Sequence, residues 1–201
     1  MGNKIWLWTG MILLTVSSCR TKTTGIVGYM KYMTNPKNGL VLEKEIDGMD
    51  FKVQWMTPDL MALNELKKTR IDQKEWEKTK KEYEGLLYCQ LTIKGMNGQH
   101  IHALLSSENM DIESVEAYLN LNAQKDIYLT SGEDTSACVL YSFSKTYGLA
   151  KQFDIATGFD NKIGNEKEDY VFEFDASFLE RGLVKFRFKR EDIVNTPILT
   201  I

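Results

Sequence analysis

Apolar and polar residues alternate with a period of two over much of the chain. Leu87, Cys89, Leu91 and Ile93 fall on one face of a segment spanning 86–94, with Tyr88, Gln90 and Thr92 on the other. Phe51, Val53 and Trp55 alternate with Lys52 and Gln54, and Val184, Phe186 and Phe188 with Lys185, Arg187 and Lys189. Alternation of this kind predicts strands with one buried face. Further strands are expected over 126–130, along Ala137, Val139, Tyr141 and Phe143, over 153–159, and through Tyr170, Phe172 and Phe174. Asp47-Gly48, between LVLEKEI and MDFKVQW, is a two-residue signal for a type I′ hairpin.

Other segments follow a helical period. Ile26 to Thr34 predicts a short helix that stops before Asn35-Pro36, because proline disfavours helical geometry in the residue before it. Pro58-Asp59 opens a helix to Leu66 with Leu60, Leu63 and Leu66 as its stripe. Asp111 or Ser114 caps a helix running to Gln124, with Val115, Tyr118, Leu119 and Leu121 on its apolar side. Residues 67–84 are dense in charge, and Asp72 is placed to cap a helix over 73–84. Its large apolar residues, Trp76 and Tyr83, lie seven apart on one side. That narrow stripe suits either a solvated helix resting on a sheet edge or a helix that binds a partner through Trp76 and Tyr83.

About eight strands and three or four helices result, joined more often by turns than by helices. The expected class is α+β with a mainly antiparallel sheet, sandwich-like in one arrangement, forming one domain over 26–201 with 67–84 as a charged helical segment.

The N-terminus reads as an address rather than as part of that domain. Lys4 precedes the apolar run Ile5 to Val16, and Ser17, Ser18 and Cys19 follow. This is the order of a secretory signal, and the run is shorter than the ~20 residues a spanning helix needs. Val16-Ser17-Ser18-Cys19 resembles a bacterial lipobox, with Val16 in the usual leucine position and Ser18 where Gly or Ala is commoner. The resemblance implies a signal peptide over 1–18 and acylation of Cys19, which becomes the mature N-terminus on a polar tether over 19–25. Acyl chains anchor by burying methylenes at ~0.8 kcal/mol each. No aspartate follows Cys19, which favours the outer membrane; the basic tether favours its periplasmic face over the cell surface.

Composition narrows the partners. The 201 residues carry a net charge of −3, and removal of 1–18, which holds one lysine and no acid, leaves −4. Without a basic excess, nucleic-acid binding loses its main driving force. With Cys19 acylated, Cys89 and Cys138 remain: a pair able to form a disulfide in an oxidising compartment, or two buried thiols on apolar strands.

Candidate chemistry is sparse. His100-Ile101-His102 would place two imidazoles on one face of a strand, but these are the only histidines and no third ligand is nominated. Two exposed histidines at a strand end is the expectation, with no metal. Asp160 to Asn165 has Lys162 at the third position and Val171 at the twelfth, which fails a calcium loop. There is no G-x-S-x-G elbow, phosphate loop or dinucleotide fingerprint. No catalytic residue and no cofactor are expected. Tyr29, Tyr32 and Tyr88 lie off the inferred apolar stripes and are candidates for a ligand platform.

Three stretches carry a further likeness. Asn35-Pro36-Lys37-Asn38-Gly39-Leu40 leads into EKEIDGMDFKVQW; PDLMALNEL and ACVLYSFSKTYGLA follow. Together with the lipobox they resemble a family of small, uncharacterised Bacteroidetes-type lipoproteins. The resemblance implies an envelope location and brings no activity. The expected role is non-catalytic: binding of an envelope protein or a part in envelope assembly, with capture of a small ligand or glycan on an aromatic face as the alternative.

Overall fold

The computed structural model of the protein describes residues 23–67, 71–144, 151–164 and 167–201. The expected signal peptide over 1–18, Cys19 and the first residues of the expected tether lie outside them.

The predicted hairpin forms as β2 (Val41–Ile46) and β3 (Met49–Met56). Asp47 and Gly48 both take positive φ, 43° and 81°, as a type I′ turn requires. β3 pairs with β4 (Leu86–Gly95), β4 with β8 (Gln152–Asp160), and β8 with β7 (Leu140–Phe143). These strands form a five-stranded antiparallel sheet in the order β2-β3-β4-β8-β7. A second antiparallel sheet has β10 (Leu183–Phe188), β9 (Tyr170–Asp175), β5 (Ile127–Ser131) and β6 (Asp134–Ala137) in that order. The fold is therefore α+β with mainly antiparallel sheets, as the alternation predicts.

Aromatic side chains join the two sheets. Phe51 meets Phe174 at 6.5 Å between centroids, Phe159 meets Phe172 edge-on at 6.0 Å, and Trp55 stacks on Tyr170 at 5.1 Å. All six are buried and belong to one continuous core. Burial of aromatic area is the largest apolar contribution such a sandwich makes.

Among the described residues six helices surround the sheets: α1 (Ile26–Met33), α2 (Pro58–Leu66), α3 (Gln73–Glu82), α4 (Ile101–Ser107), α5 (Ile112–Leu121) and α6 (Arg190–Val194). Their starts follow the expected caps. Thr57 accepts from the backbone of Leu60, Asp72 from Lys74 and Glu75, and Asp111 from Ser114. Arg181 stitches separate elements together. It donates to the carbonyls of Asp47 at 2.8 Å and Leu179 at 3.0 Å, and pairs with Glu108 at 2.5 Å.

Four expectations are corrected. First, the strand expected along Ala137 to Phe143 is two strands in different sheets. β6 ends at Ala137, the chain crosses over at Cys138 and Val139, and β7 begins at Leu140. Second, His100 and His102 are not on a strand. His100 is the N-cap of α4, and His102 pairs with Glu116 at 3.1 Å across α4 and α5. Ile101, Leu104 and Leu105 supply the buried helical stripe. Third, α5 ends at Leu121, which stands 74% exposed rather than on the apolar side. Fourth, Thr23 and Thr24, expected within a tether over 19–25, are part of the fold. Thr23–Thr24 forms β1, which pairs in parallel with β11 (Ile198–Leu199). No helix among the described residues is long and apolar enough to cross a membrane.

Candidate functional site

The five-stranded sheet has a core face and an outer face, and the outer face is where space opens. Tyr88, Gln90 and Ala156 alternate away from the core residues Cys89, Leu91 and Ile155. Over most of its width this face is polar: Thr92 donates to Asp154 at 2.8 Å, and Lys94 pairs with Asp50 at 3.5 Å. At the end nearest Met56 the helices α2 and α3 cover it. A cleft of about 470 Å3 lies between helices and sheet. Met56, Met61, Tyr83, Tyr88 and Leu140 give it apolar and aromatic walls, and Asn64, Glu65, Lys67 and Gln90 supply polar groups. This mixture of apolar walls and few polar groups is the usual make-up of a small-molecule site.

The aromatic wall is fixed from both sides. Tyr83 meets Tyr88 edge-on at 5.6 Å and donates its hydroxyl to Glu65 at 2.6 Å. That hydrogen bond to a carboxylate, with partial burial, raises the Tyr83 phenol to about 12. Burial raises the Tyr88 phenol as well. Gly158 lies opposite Tyr88 in the sheet, and a Cβ there would sit 3.4 Å from the Tyr88 ring and 3.1 Å from Leu140. The missing side chain leaves the ring its place.

Trp76 and Tyr83 do not form an exposed binding stripe. Trp76 is 7% exposed and part of the core, with the Lys80 ammonium 4.9 Å over its ring. Lys80 also reaches Asp59 at 3.0 Å, tying α3 to α2. The helix is anchored by its one indole, and the partner-binding reading of Trp76 is corrected. Tyr83 lines the cleft instead.

Nor do Tyr29, Tyr32 and Tyr88 form one platform. Tyr29 is fully buried and shares a 2.5 Å hydrogen bond with the hydroxyl of Thr57; burial pushes its phenol up. Tyr32 is half-buried and donates to the carbonyl of Asn195 at 3.3 Å. Tyr88 lines the cleft described above, and it is buried under α2 and α3 rather than exposed.

Cys89 and Cys138 are free, buried thiols, so the disulfide considered from the sequence is not made in this structure. Burial pushes both up, Cys138 to about 11, and their proximity adds to the effect on Cys89. Cys138 donates to the carbonyl of Leu140 at 3.0 Å. Neither thiol has the electropositive, accessible setting of a nucleophile. Among the described residues no three His, Cys, Asp or Glu side chains gather as metal ligands.

A second cleft, of about 320 Å3, opens at the end of the sandwich. It lies where β3 ends, β4 and β9 begin, and α6 crosses. Trp55, Leu86, Leu87, Tyr170 and Arg190 line it, with Glu84 on its rim. Sequence reasoning took Trp55 and Tyr170 as core and passed over Arg190, which nothing in its neighbourhood distinguishes from Lys189.

No protein-family model matches the chain, and no curated protein does. A solved structure with some likeness is a protein of unknown function from Burkholderia pseudomallei. It is 9% identical over 85% of each chain, with a TM-score of 0.40. A likeness at that level carries neither fold nor function across.

Proposed function

We propose that the protein is a non-catalytic lipoprotein of the cell envelope that captures a small molecule in the cleft between the α2–α3 pair and the outer face of the five-stranded sheet. The leader pattern ending at Cys19 supports an acyl anchor, and the tether composition supports the periplasmic face of the outer membrane. The observation that carries capture is the aromatic cleft itself. Tyr83 and Tyr88 are held rigidly, beside Met56 and Met61, with Glu65 and Gln90 placed to orient a ligand. A rigid wall lowers the ordering cost of binding.

A second reading, docking of an envelope protein, is favoured by a different feature. Leu121, Tyr128 and Val139 are exposed around the corner where the chain crosses between sheets, beside the edge strands β6 and β7.

One preparation tests both anchor and capture. The full chain is extracted from its native envelope, and the small molecules that accompany it are identified by mass spectrometry. Cys19→Ala should move the protein from the detergent phase to the aqueous phase. Ala156→Leu, which fills the cleft floor, should abolish co-purification of a stoichiometric ligand while the protein stays folded. An unchanged phase for Cys19→Ala refutes the anchor. A ligand retained by Ala156→Leu, or none in the parent, refutes capture in this cleft.

A further inference from the structure

The cleft at the end of the sandwich contains a cation without a counterion. Arg190 follows β10 and opens α6. Its guanidinium lies 5.1 Å over the Tyr170 ring, and Nη1 donates to the Tyr170 hydroxyl. Tyr170 is itself stacked on Trp55, so the arginine stands on a two-ring platform. The Arg190 backbone N–H donates to Asp169 at 3.0 Å, but the Asp169 carboxylate pairs with Arg187, at 3.6 Å. Among the described residues no carboxylate pairs with the Arg190 guanidinium, and its Nε–H is buried without an acceptor.

A buried, charged donor left unmade is costly, and structures seldom keep one without a use. The surroundings say what would satisfy it. Leu86, Val194 and the two aromatic rings make most of the rest of the wall apolar, with Thr57 and Asn161 as uncharged polar members. There is one cation and, on the rim, one acid, Glu84. A phosphate dianion would meet too little positive charge and some repulsion. A carboxylate carries one charge and matches the planar guanidinium fork.

We infer that this cleft binds a monocarboxylate with an apolar body, its carboxylate on Arg190 and its hydrocarbon or aryl group against Trp55, Tyr170 and Leu86. The site is separate from the cleft beside Tyr83 and Tyr88, and stands or falls independently of it. The carboxylate supplies the acceptor that the protein does not. The Tyr170 hydroxyl keeps Nη1 and so holds the fork in one orientation. Cation and rings together select an amphipathic acid over either a simple salt or a neutral hydrocarbon.

The test uses the full chain in detergent micelles and the emission of Trp55, which forms part of the wall. The probe is 3-phenylpropionate at neutral pH; 3-phenylpropionamide is the uncharged isostere and phenyl phosphate the competing anion. The acid should saturate the signal and bind at least tenfold more tightly than either comparison compound. Arg190→Gln should cost at least tenfold for the acid and leave the amide unchanged, and Arg190→Lys should recover part of the loss. Gln90→Ala, in the other cleft, should bind the acid like the parent. Thermal melts of each variant confirm that the fold is intact. Equal binding of acid and amide, preference for phenyl phosphate, indifference to Arg190→Gln, or no saturation by the acid would each overturn the inference. A loss in Gln90→Ala equal to that in Arg190→Gln would place the acid in the other cleft and overturn it too.

Discussion

Trp76 decides whether α3 is an integral layer of the fold or a free arm. Its indole is 7% exposed and packs in the core that α2 shares. A buried tryptophan removes ~200 Å2 from water, which at ~25 cal/mol per Å2 corresponds to ~5 kcal/mol. Alanine retains a small part of that, and the cavity relaxes in part, so Trp76→Ala should cost about 4 kcal/mol. Loss of the Lys80 ammonium over the ring adds some tenths to that figure. Trp76→Phe is the informative partner. It keeps most of the apolar area and removes an indole N–H that has no acceptor among the described residues. Its cost should stay below about 1.5 kcal/mol. Urea unfolding of unlipidated Cys19→Ala chains, followed by far-ultraviolet circular dichroism, measures both against the parent. A cost for Trp76→Ala under about 1 kcal/mol would refute the packing argument and return α3 to solvent.

Three further outcomes are expected. Arg181→Met removes two hydrogen bonds to carbonyls and the pair with partly exposed Glu108, and should lower the unfolding free energy by about 3 kcal/mol; a shift within 0.5 kcal/mol, about the range of surface substitutions, would show that the stitch is dispensable. The Tyr83 phenol, raised to about 12 in the folded protein against 10 unfolded, contributes stability that is complete below pH 10 and lost as pH rises through 12. In Glu65→Gln its ultraviolet titration should move to lower pH, and an unmoved titration would remove Glu65 as the main cause. Cys89 and Cys138 should resist alkylation at pH 8 in the folded chain and react together on unfolding. Rapid labelling of either thiol in the native state contradicts its burial, and a pair that stays unreactive after unfolding without reductant is disulfide-bonded.

The parts of the fold that were legible in the sequence are those in which local chemistry and tertiary packing agree. Asp47-Gly48 can satisfy two positive φ angles, and it does. Thr57, Asp72 and Asp111 cap the helices that follow them because their side-chain oxygens have backbone N–H groups to accept from. The crossover at Cys138 was not legible. A period of two continues through Ala137, Val139 and Tyr141, although the hydrogen-bonding partner changes from β5 to β8. Alternation reports a strand's faces and is silent about its neighbours. The pattern Ile101, Leu104, Leu105 was sufficient to place a helix at the histidines, and the i, i+2 spacing of His100 and His102 masked it. Trp76 kept two readings in the sequence because its neighbours are charged, and its burial agrees with the one in which the helix rests on the fold. On a helix with one large apolar side chain, that side chain is the anchor.

The candidate sites were less legible still. Tyr83 and Tyr88 were each noted, on different grounds, and only the packing of α3 over the sheet brings them together. Arg190 has no sequence signal of its own. What sets it apart is that no carboxylate among the described residues pairs with its guanidinium where three chain segments meet, and a one-dimensional pattern does not record absences of that kind.

The short parallel pairing of β1 with β11 sets an order of events. Synthesis exposes Thr23 and Thr24 before the other described strands, whereas Ile198 and Leu199 emerge after them. The seam between them is therefore the last of the described ladders to have both its strands, and the amide of Thr200 adds a 2.9 Å bond to the carbonyl of Thr24 only then. Until that moment β1 is an open edge, and proteases find unpaired backbone at such edges. A nascent chain that has not reached residue 198 keeps that edge open, so the seam couples the first described strand to the last.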